Sequence, residues 1–320
     1  MANFQQGLTL SSSFDLSAAT ENTSSAGYLW FDGTNFKYSI LGAWSTGGDL
    51  INRREAAAGF GTQNEAVMAS GRINFPYLTC TEEYNGSSWT AGGATINARY
   101  ALSGFGTQNA GAITSGYISS NTNCTEEYDG SSWSAGGATI TIHGQTPAAA
   151  GVQNAGIIAG GFNGSYLSCT EEYDGSSWSA GGALSTARYN FAGAGTQNST
   201  LVAGGHPYKN RCTEEYNGTS WSTGGAVISG RAGARGGGTQ NAGLIFGGYG
   251  YPGGHVSSAE LYNGSSWSTS FNMNQARYNM GSAGTQDAGL AFGGQGCNPT
   301  INVLACTEEY TCKAINVCTL

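Results

Sequence analysis

Cys169-Thr170-Glu171-Glu172-Tyr173-Asp174-Gly175-Ser176-Ser177-Trp178 is a stretch that the chain writes several times over. Its Cys-Thr-Glu-Glu-Tyr part begins again at Cys80, Cys124, Cys212 and Cys306, with a degenerate copy from Ser258 to Tyr262. A second string, Gly-Thr-Gln-Asn, begins at Gly61, Gly106, Gly195 and Gly238, with weaker copies at Gly151 and Gly284. Successive starts are 45, 45, 44, 43 and 46 residues apart, so six copies fill the chain after about residue 50. Self-similarity at such a period marks an architecture in which each repeat is one supersecondary unit.

Each unit reads as four short strands. In the second copy, Arg99 to Phe105 is a first strand, ended by the turn Gly106-Thr107-Gln108-Asn109, and Ala110 to Gly116 is a second. Cys124 to Tyr128 is a third, and Ser131 to Ser134, containing Trp133, is a fourth. Asp129-Gly130 between them reads as a type I′ hairpin turn, whose two central residues both need positive φ. Four strands per 40–50 residues, repeated radially, predict an all-β, six-bladed β-propeller with four antiparallel strands per blade.

The unit resembles the kelch repeat. A Gly-Gly pair ends the second strand at Gly160-Gly161, Gly204-Gly205, Gly247-Gly248 and Gly293-Gly294, and Tyr and Trp follow, as in Tyr173 and Trp178. An Arg opens the unit at Arg54, Arg99, Arg188, Arg231 and Arg277, each seven residues before the Gly of the turn. The third copy has Gly144 there, with His143 beside it, and the first two copies have Ser70-Gly71 and Ser115-Gly116 in place of Gly-Gly. The last copy lacks its fourth strand after Tyr310. The segment Tyr28 to Ile40 is expected to supply it, since Phe31 and Phe36 share the spacing of Tyr84 and Trp89. The chain is then residues 27–320 of propeller, closed by pairing of the N- and C-terminal segments, preceded by an arm over residues 1–26. A partial seventh blade is the alternative.

Composition narrows the functional classes. Glycine at 53 of 320 residues suits turns and close packing rather than disorder, because 39% of residues are hydrophobic and 17 Tyr and 7 Trp recur regularly. The net charge is −8, with no basic run to contact nucleic acid. No apolar run approaches the roughly 20 residues of a membrane span. The polar first 25 residues do not read as a signal peptide.

Residues capable of chemistry read mostly as structural. The two carboxylates of each Glu-Glu pair lie on a strand and point to opposite faces, so they do not converge on one substrate. One of each pair is expected to hold the repeated Arg through a bidentate ion pair. Cys80, Cys124, Cys169, Cys212 and Cys306 occupy the same place in different blades, too far apart for disulfides, and read as small buried packing residues. Cys297, Cys312 and Cys318 stand outside the pattern near Cys306, which leaves one C-terminal disulfide open. No Cys/His zinc spacing occurs, so neither a metal nor another cofactor is expected. The kelch resemblance extends to the central domain of galactose oxidase, but no matching set of unique Tyr, His and Cys is present. The Asp-Gly-Ser-Ser-Trp string departs from the Asp-box of sialidases, its Asp and Gly being adjacent. The Thr-Gln-Asn turns are expected to be held by side-chain amides bonding the turn's own backbone.

What differs between the copies is the loop joining second to third strand: Arg72–Thr79, Tyr117–Asn123, Phe162–Ser168, His206–Arg211, Tyr249–Ser257 and Gln295–Ala305. All six emerge on one face. They carry Phe75, Tyr77, Tyr117, Phe162, Tyr166, His206, Tyr208, Lys209, Tyr249, Tyr251 and His255, a set suited to recognising a glycan or a protein surface. The units are similar to kelch-like virion proteins of tailed phages, particularly marine ones. That resemblance implies a non-catalytic virion component, its arm joined to other virion proteins and its disc binding a cell-surface glycan or protein. The alternatives are an intracellular kelch adaptor and a glycan-active propeller enzyme.

Overall fold

The computed structural model describes residues 27–31, 35–40, 42–73, 75–207, 210–250, 253–296, 303–312 and 314–319, with side chains described from residue 42 to residue 312. It is a ring of six four-stranded antiparallel sheets. The second blade shows how a unit folds. Ser103–Thr107 pairs with Ala110–Thr114, that strand with Thr125–Tyr128, and that in turn with Trp133–Ala135 on the outside. Consecutive inner strands neighbour one another around a central channel, and Gly281–Gly284 meets Ala58–Gly61 to close the circle.

The inner strand is shorter than expected, because Arg99 belongs to the connection before it. Ala101, at φ 57°, breaks the extended backbone between them. The same left-handed kink recurs at Ala56, Thr146, Asn190, Gly233 and Asn279. These six residues form a closed circle of backbone hydrogen bonds. Ala101 N donates to Ala56 O at 2.7 Å, Thr146 N to Ala101 O at 2.7 Å, Asn190 N to Thr146 O at 2.9 Å and Gly233 N to Asn190 O at 2.7 Å. Asn279 N then donates to Gly233 O at 3.2 Å, and Ala56 N to Asn279 O at 2.8 Å. A non-glycine residue in this region is strained by about 1 kcal/mol or more, and a hydrogen bond per residue offsets it.

Closure pairs an N-terminal with a C-terminal segment, as expected, but through a different N-terminal strand. The outer strand of the sixth blade is Ala43–Thr46, not Tyr28 to Ile40, and it pairs with Thr307–Thr311 so that Trp44 faces Tyr310. Trp44-Ser45-Thr46-Gly47-Gly48 repeats Trp221-Ser222-Thr223-Gly224-Gly225, so the true outer strand carries the whole repeat signature, connection included. Gly27–Phe31, Asn35–Ile40 and Ala314–Thr319 form a separate three-stranded sheet. Residues 1–26, the expected arm, lie outside the described residues.

The hairpin after the third strand is not type I′. Asp129 N donates to Ser132 O at 3.2 Å, and of the turn residues only Gly130 has positive φ, at 90°. Glycine therefore holds the first central position, as a type II′ geometry requires. Asp129 Oδ1 accepts from the amides of Ser131 and Ser132 at 2.8 and 2.7 Å, which fixes the turn from within.

The blades are sewn together by the repeated residues. Each Gln of the Gly-Thr-Gln-Asn turn reaches the preceding blade rather than its own turn. Gln108 Nε2 donates to Ala66 O and Tyr84 O at 3.2 and 2.9 Å, and Gln63 bridges the closure to Gly289 O and Tyr310 O at 3.0 and 2.7 Å. The outer Trp does the same: Trp133 Nε1 donates to Thr81 Oγ1 at 2.9 Å and Trp178 Nε1 to Thr125 Oγ1 at 3.0 Å. Apolar packing also crosses the junctions. A Cβ on Gly111 would stand 2.2 Å from Phe60 of the preceding blade, and one on Gly156 would stand 2.1 Å from Phe105, so glycine is what admits these rings.

Candidate functional site: the loop face and the channel mouth

The first Glu of each pair is buried and meets the unit's opening Arg. Arg188 Nη2 lies 2.6 Å from Glu214 Oε1 and Arg99 Nη2 lies 3.1 Å from Glu126 Oε1; Arg54–Glu82, Arg231–Glu260 and Arg277–Glu308 pair likewise. The contact is not the expected bidentate fork. Nη1 turns instead to backbone carbonyls, as from Arg188 to Gly204 O and Cys212 O at 3.2 and 3.0 Å. The carboxylate accepts from backbone amides of the connection entering its blade, as Glu126 does from Ile96 and Asn97 at 2.7 and 3.2 Å. The second Glu faces the other way and accepts from the Tyr of the following blade: Tyr128 Oη donates to Glu83 at 2.5 Å and Tyr216 Oη to Glu172 at 2.6 Å. All this carboxylate chemistry is consumed in holding blades and connections.

The third blade departs, as its sequence does. His143 replaces the guanidinium, with Nδ1 2.6 Å from Gly160 O and Nε2 3.1 Å from Glu171 Oε1. Burial pushes its pKa down, but the bonds to Cys169 and Glu171 outweigh burial and lift it to about 9. Both ring nitrogens face acceptors, so the ring is an imidazolium that imitates Arg.

The five repeated cysteines are less buried than expected: four are half-buried and Cys212 is exposed, all as free thiols. Cys306 and Cys312 are free as well. The side chains of Cys297 and Cys318 lie outside the described residues.

Antiparallel order places the variable loops and the connections entering the inner strands at the same end of the disc. In every unit the residue after the opening Arg, or after Gly144 in the third unit, pairs with the start of that unit's loop. The pairs are Glu55 with Arg72, Tyr100 with Tyr117, Gln145 with Phe162, Tyr189 with His206, Ala232 with Tyr249 and Tyr278 with Gln295. The loops are thereby clamped beside the ring of kinked residues at the channel mouth.

The loop aromatics gather into three stacks. Phe75, Tyr77, Tyr100 and Tyr117 follow one another at centroid separations of 5.1, 4.8 and 5.6 Å, with the Arg72 guanidinium 4.3 Å above Tyr100. Tyr189 gathers Phe162, Tyr166 and His206 at 5.1, 5.6 and 4.8 Å. Tyr278 gathers Tyr249 and His255 at 6.1 and 4.7 Å. Burial holds the pKa of His206 and of His255 below the ordinary histidine range. Of the expected site residues, Phe75, Tyr166 and Tyr249 are exposed, Tyr77, Tyr117, Phe162 and His255 are half-buried, and His206 is buried. Tyr208, Lys209 and Tyr251 lie outside the described residues.

The centres of the stacks were not among the expected residues. Tyr100, Tyr189 and Tyr278 belong to the Ala-Arg-Tyr that opens the second, fourth and sixth units. The signal was there: Ala-Arg-Tyr recurs every second unit, at 89-residue intervals, which gives the loop face a threefold pattern on a sixfold ring. Glu55, which follows the opening Arg54, also lies on this face. It holds Arg72 at 3.0 Å through Oε1 while its buried Oε2 has no partner among the described residues. Among the described residues no group of His, Cys, Asp and Glu could hold a metal ion.

Among solved structures the chain is similar to YjhT, with a TM-score of 0.70 at 14% sequence identity, over 84% of this chain and 99% of that one. Identity at that level carries the propeller fold and nothing finer. No family model matches the sequence. No curated protein matches it either.

Proposed function

We propose that this propeller is a non-catalytic recognition protein whose loop face binds a glycan or protein surface, and that it serves as a kelch-like component of a tailed-phage virion. The observation that carries the binding reading is the set of three aromatic stacks, each exposing at least one ring tip, on one face of a rigid disc. Aromatic rings offer flat apolar area at small entropic cost, which suits both sugar faces and protein hot spots. The absorption of nearly all the repeated carboxylates, guanidiniums and amides in blade-to-blade bonds supports a scaffold rather than a catalyst. The virion reading rests on the similarity of the repeat to phage kelch-like units, with residues 1–26 as the attachment arm.

A glycan array probed with the full chain and with Tyr166→Ala and Tyr249→Ala tests the site. Binding that survives both substitutions places recognition elsewhere. Genes for capsid or tail proteins beside this one support the virion role, and a cellular genome without a nearby prophage overturns it.

A further inference from the structure

Arg235 is a charged side chain that the repeat does not account for. It is the first residue of the fifth inner strand, Arg235–Thr239, where the other blades carry Ala58, Ser103, Ala148, Ala192 and Gly281. It projects among inner-strand residues that are otherwise small or apolar, and among the described residues it is the one ionisable residue lining the channel. Nη1 donates to Ala234 O at 3.0 Å and makes a long contact of 3.4 Å to Asn190 Oδ1. Among the described residues Arg235 makes no ion pair, and its Nε and Nη2 have no hydrogen-bond partner. The five arginines that open the repeat units, by contrast, each hold a carboxylate.

The neighbourhood is polar and neutral. Asn190 Nδ2 donates to Asn279 Oδ1 at 3.2 Å, so the two amides bridge over Gly233, where a Cβ would stand 3.0 Å from Asn279 Oδ1. In the same ring Thr146 is buried, and its Oγ1 has no partner among the described residues. The channel offers about 150 Å³ to solvent, a volume comparable to cavities that accept a benzene-sized guest. Protein surrounds the guanidinium closely enough that burial alone lowers its pKa to about 10, yet channel water still reaches part of it. An unpaired cation between low-dielectric walls is costly until an anion joins it.

We infer that the channel mouth binds a small oxyanion, a carboxylate or a phosphate, on the free edge of Arg235 beside Asn190. A guanidinium matches either group through two parallel N–H bonds, and the Nε–Nη2 edge left open is the one that makes such a fork. A lone cation in a chain of net charge −8 also makes the site selective, since cations gain nothing there. This site is independent of the loop-face reading, because no loop aromatic lines it.

Calorimetric titration of the full chain with sodium acetate, and separately with sodium phosphate at fixed ionic strength, tests the inference. Saturable binding of either salt is expected, weakened about tenfold or more in Arg235→Met and partly kept in Arg235→Lys. Which salt binds more tightly identifies the oxyanion. Responses that do not saturate, or that Arg235→Met leaves unchanged, overturn the site. If Arg235→Met does not fold, crystals of the unaltered chain soaked in arsenate decide. An anomalous peak within hydrogen-bond distance of Nε or Nη2 supports the inference, and an empty channel overturns it.

Discussion

Trp44 stands opposite Tyr310 in the sixth blade, the two ring centroids 5.2 Å apart, and Trp44 Nε1 donates to Phe271 O at 2.9 Å. In the five other blades the equivalent indole meets a threonine hydroxyl of the preceding blade at 2.9 or 3.0 Å, as Trp89 meets Thr307 and Trp267 meets Thr213. The fifth unit has Ala259 where that Thr should be and Leu261 where the second Glu should be. Both losses fall on the closing junction: Trp44 turns to a backbone carbonyl, and Tyr310 Oη meets Ser270 Oγ at 2.7 Å. The N-terminal strand thus docks against a junction short of two standard bonds.

Trp44→Ala should therefore cost about 3–5 kcal/mol, as for other buried Trp truncations, and should also loosen the ring. Trp133→Ala should cost a similar amount without opening it. Thermal unfolding reads the first effect and limited proteolysis between residues 46 and 58 reads the second. Equal protease resistance in the two variants would show that Ala43–Thr46 is not the clasp.

The glutamine stitches make a second case. Gln108→Ala leaves Ala66 O and Tyr84 O without their side-chain donor, at a junction whose backbone is otherwise intact. The expected loss is about 1–3 kcal/mol by denaturant unfolding. Gln63→Ala should lose the same amount at the closing junction.

These stitches explain what the sequence could and could not say. Six copies of Gly-Thr-Gln-Asn and Thr-Glu-Glu-Tyr reveal the unit and the blade number, because each string sits at a fixed place in its strand. They do not tell whether Gln108 bonds its own turn or the blade before, since the same offset recurs in every copy and both pairings look alike. Only the defects break this degeneracy: Ala259 and Leu261 lie in one unit, yet Trp44 and Tyr310 of the next lose their partners. On the loop face the variable residues were legible, but Tyr100, Tyr189 and Tyr278 were hidden inside the repeated opening. Arg235 was hidden for the same reason, as one residue in a run of glycines.

The stacks divide load between centre and tip. Tyr166 is 45% exposed, so Tyr166→Ala should change stability by no more than about 0.5 kcal/mol. Tyr189 touches Phe162, Tyr166 and His206, from the loops of two blades, and its loss should free both loops. Hydrogen exchange of residues 162–168 should rise in Tyr189→Ala and stay unchanged in Tyr166→Ala.

The third blade carries a histidine, His143, where the other five carry an arginine. The folded-state pKa of His143, about 9, lies above the value near 6.5 of an unfolded histidine. A raised pKa means the folded state holds the proton more tightly. Its stabilisation is complete below pH about 6.5 and fades as pH rises through about 9. Deprotonation leaves a buried carboxylate, Glu171, facing a neutral ring in place of an imidazolium. The melting temperature should therefore fall between pH about 6.5 and 9, a range below the raised tyrosine pKa values near 12. His143→Arg installs the group used in the other five blades and should flatten the profile over that interval. An equally steep decline in His143→Arg would assign the dependence to another group.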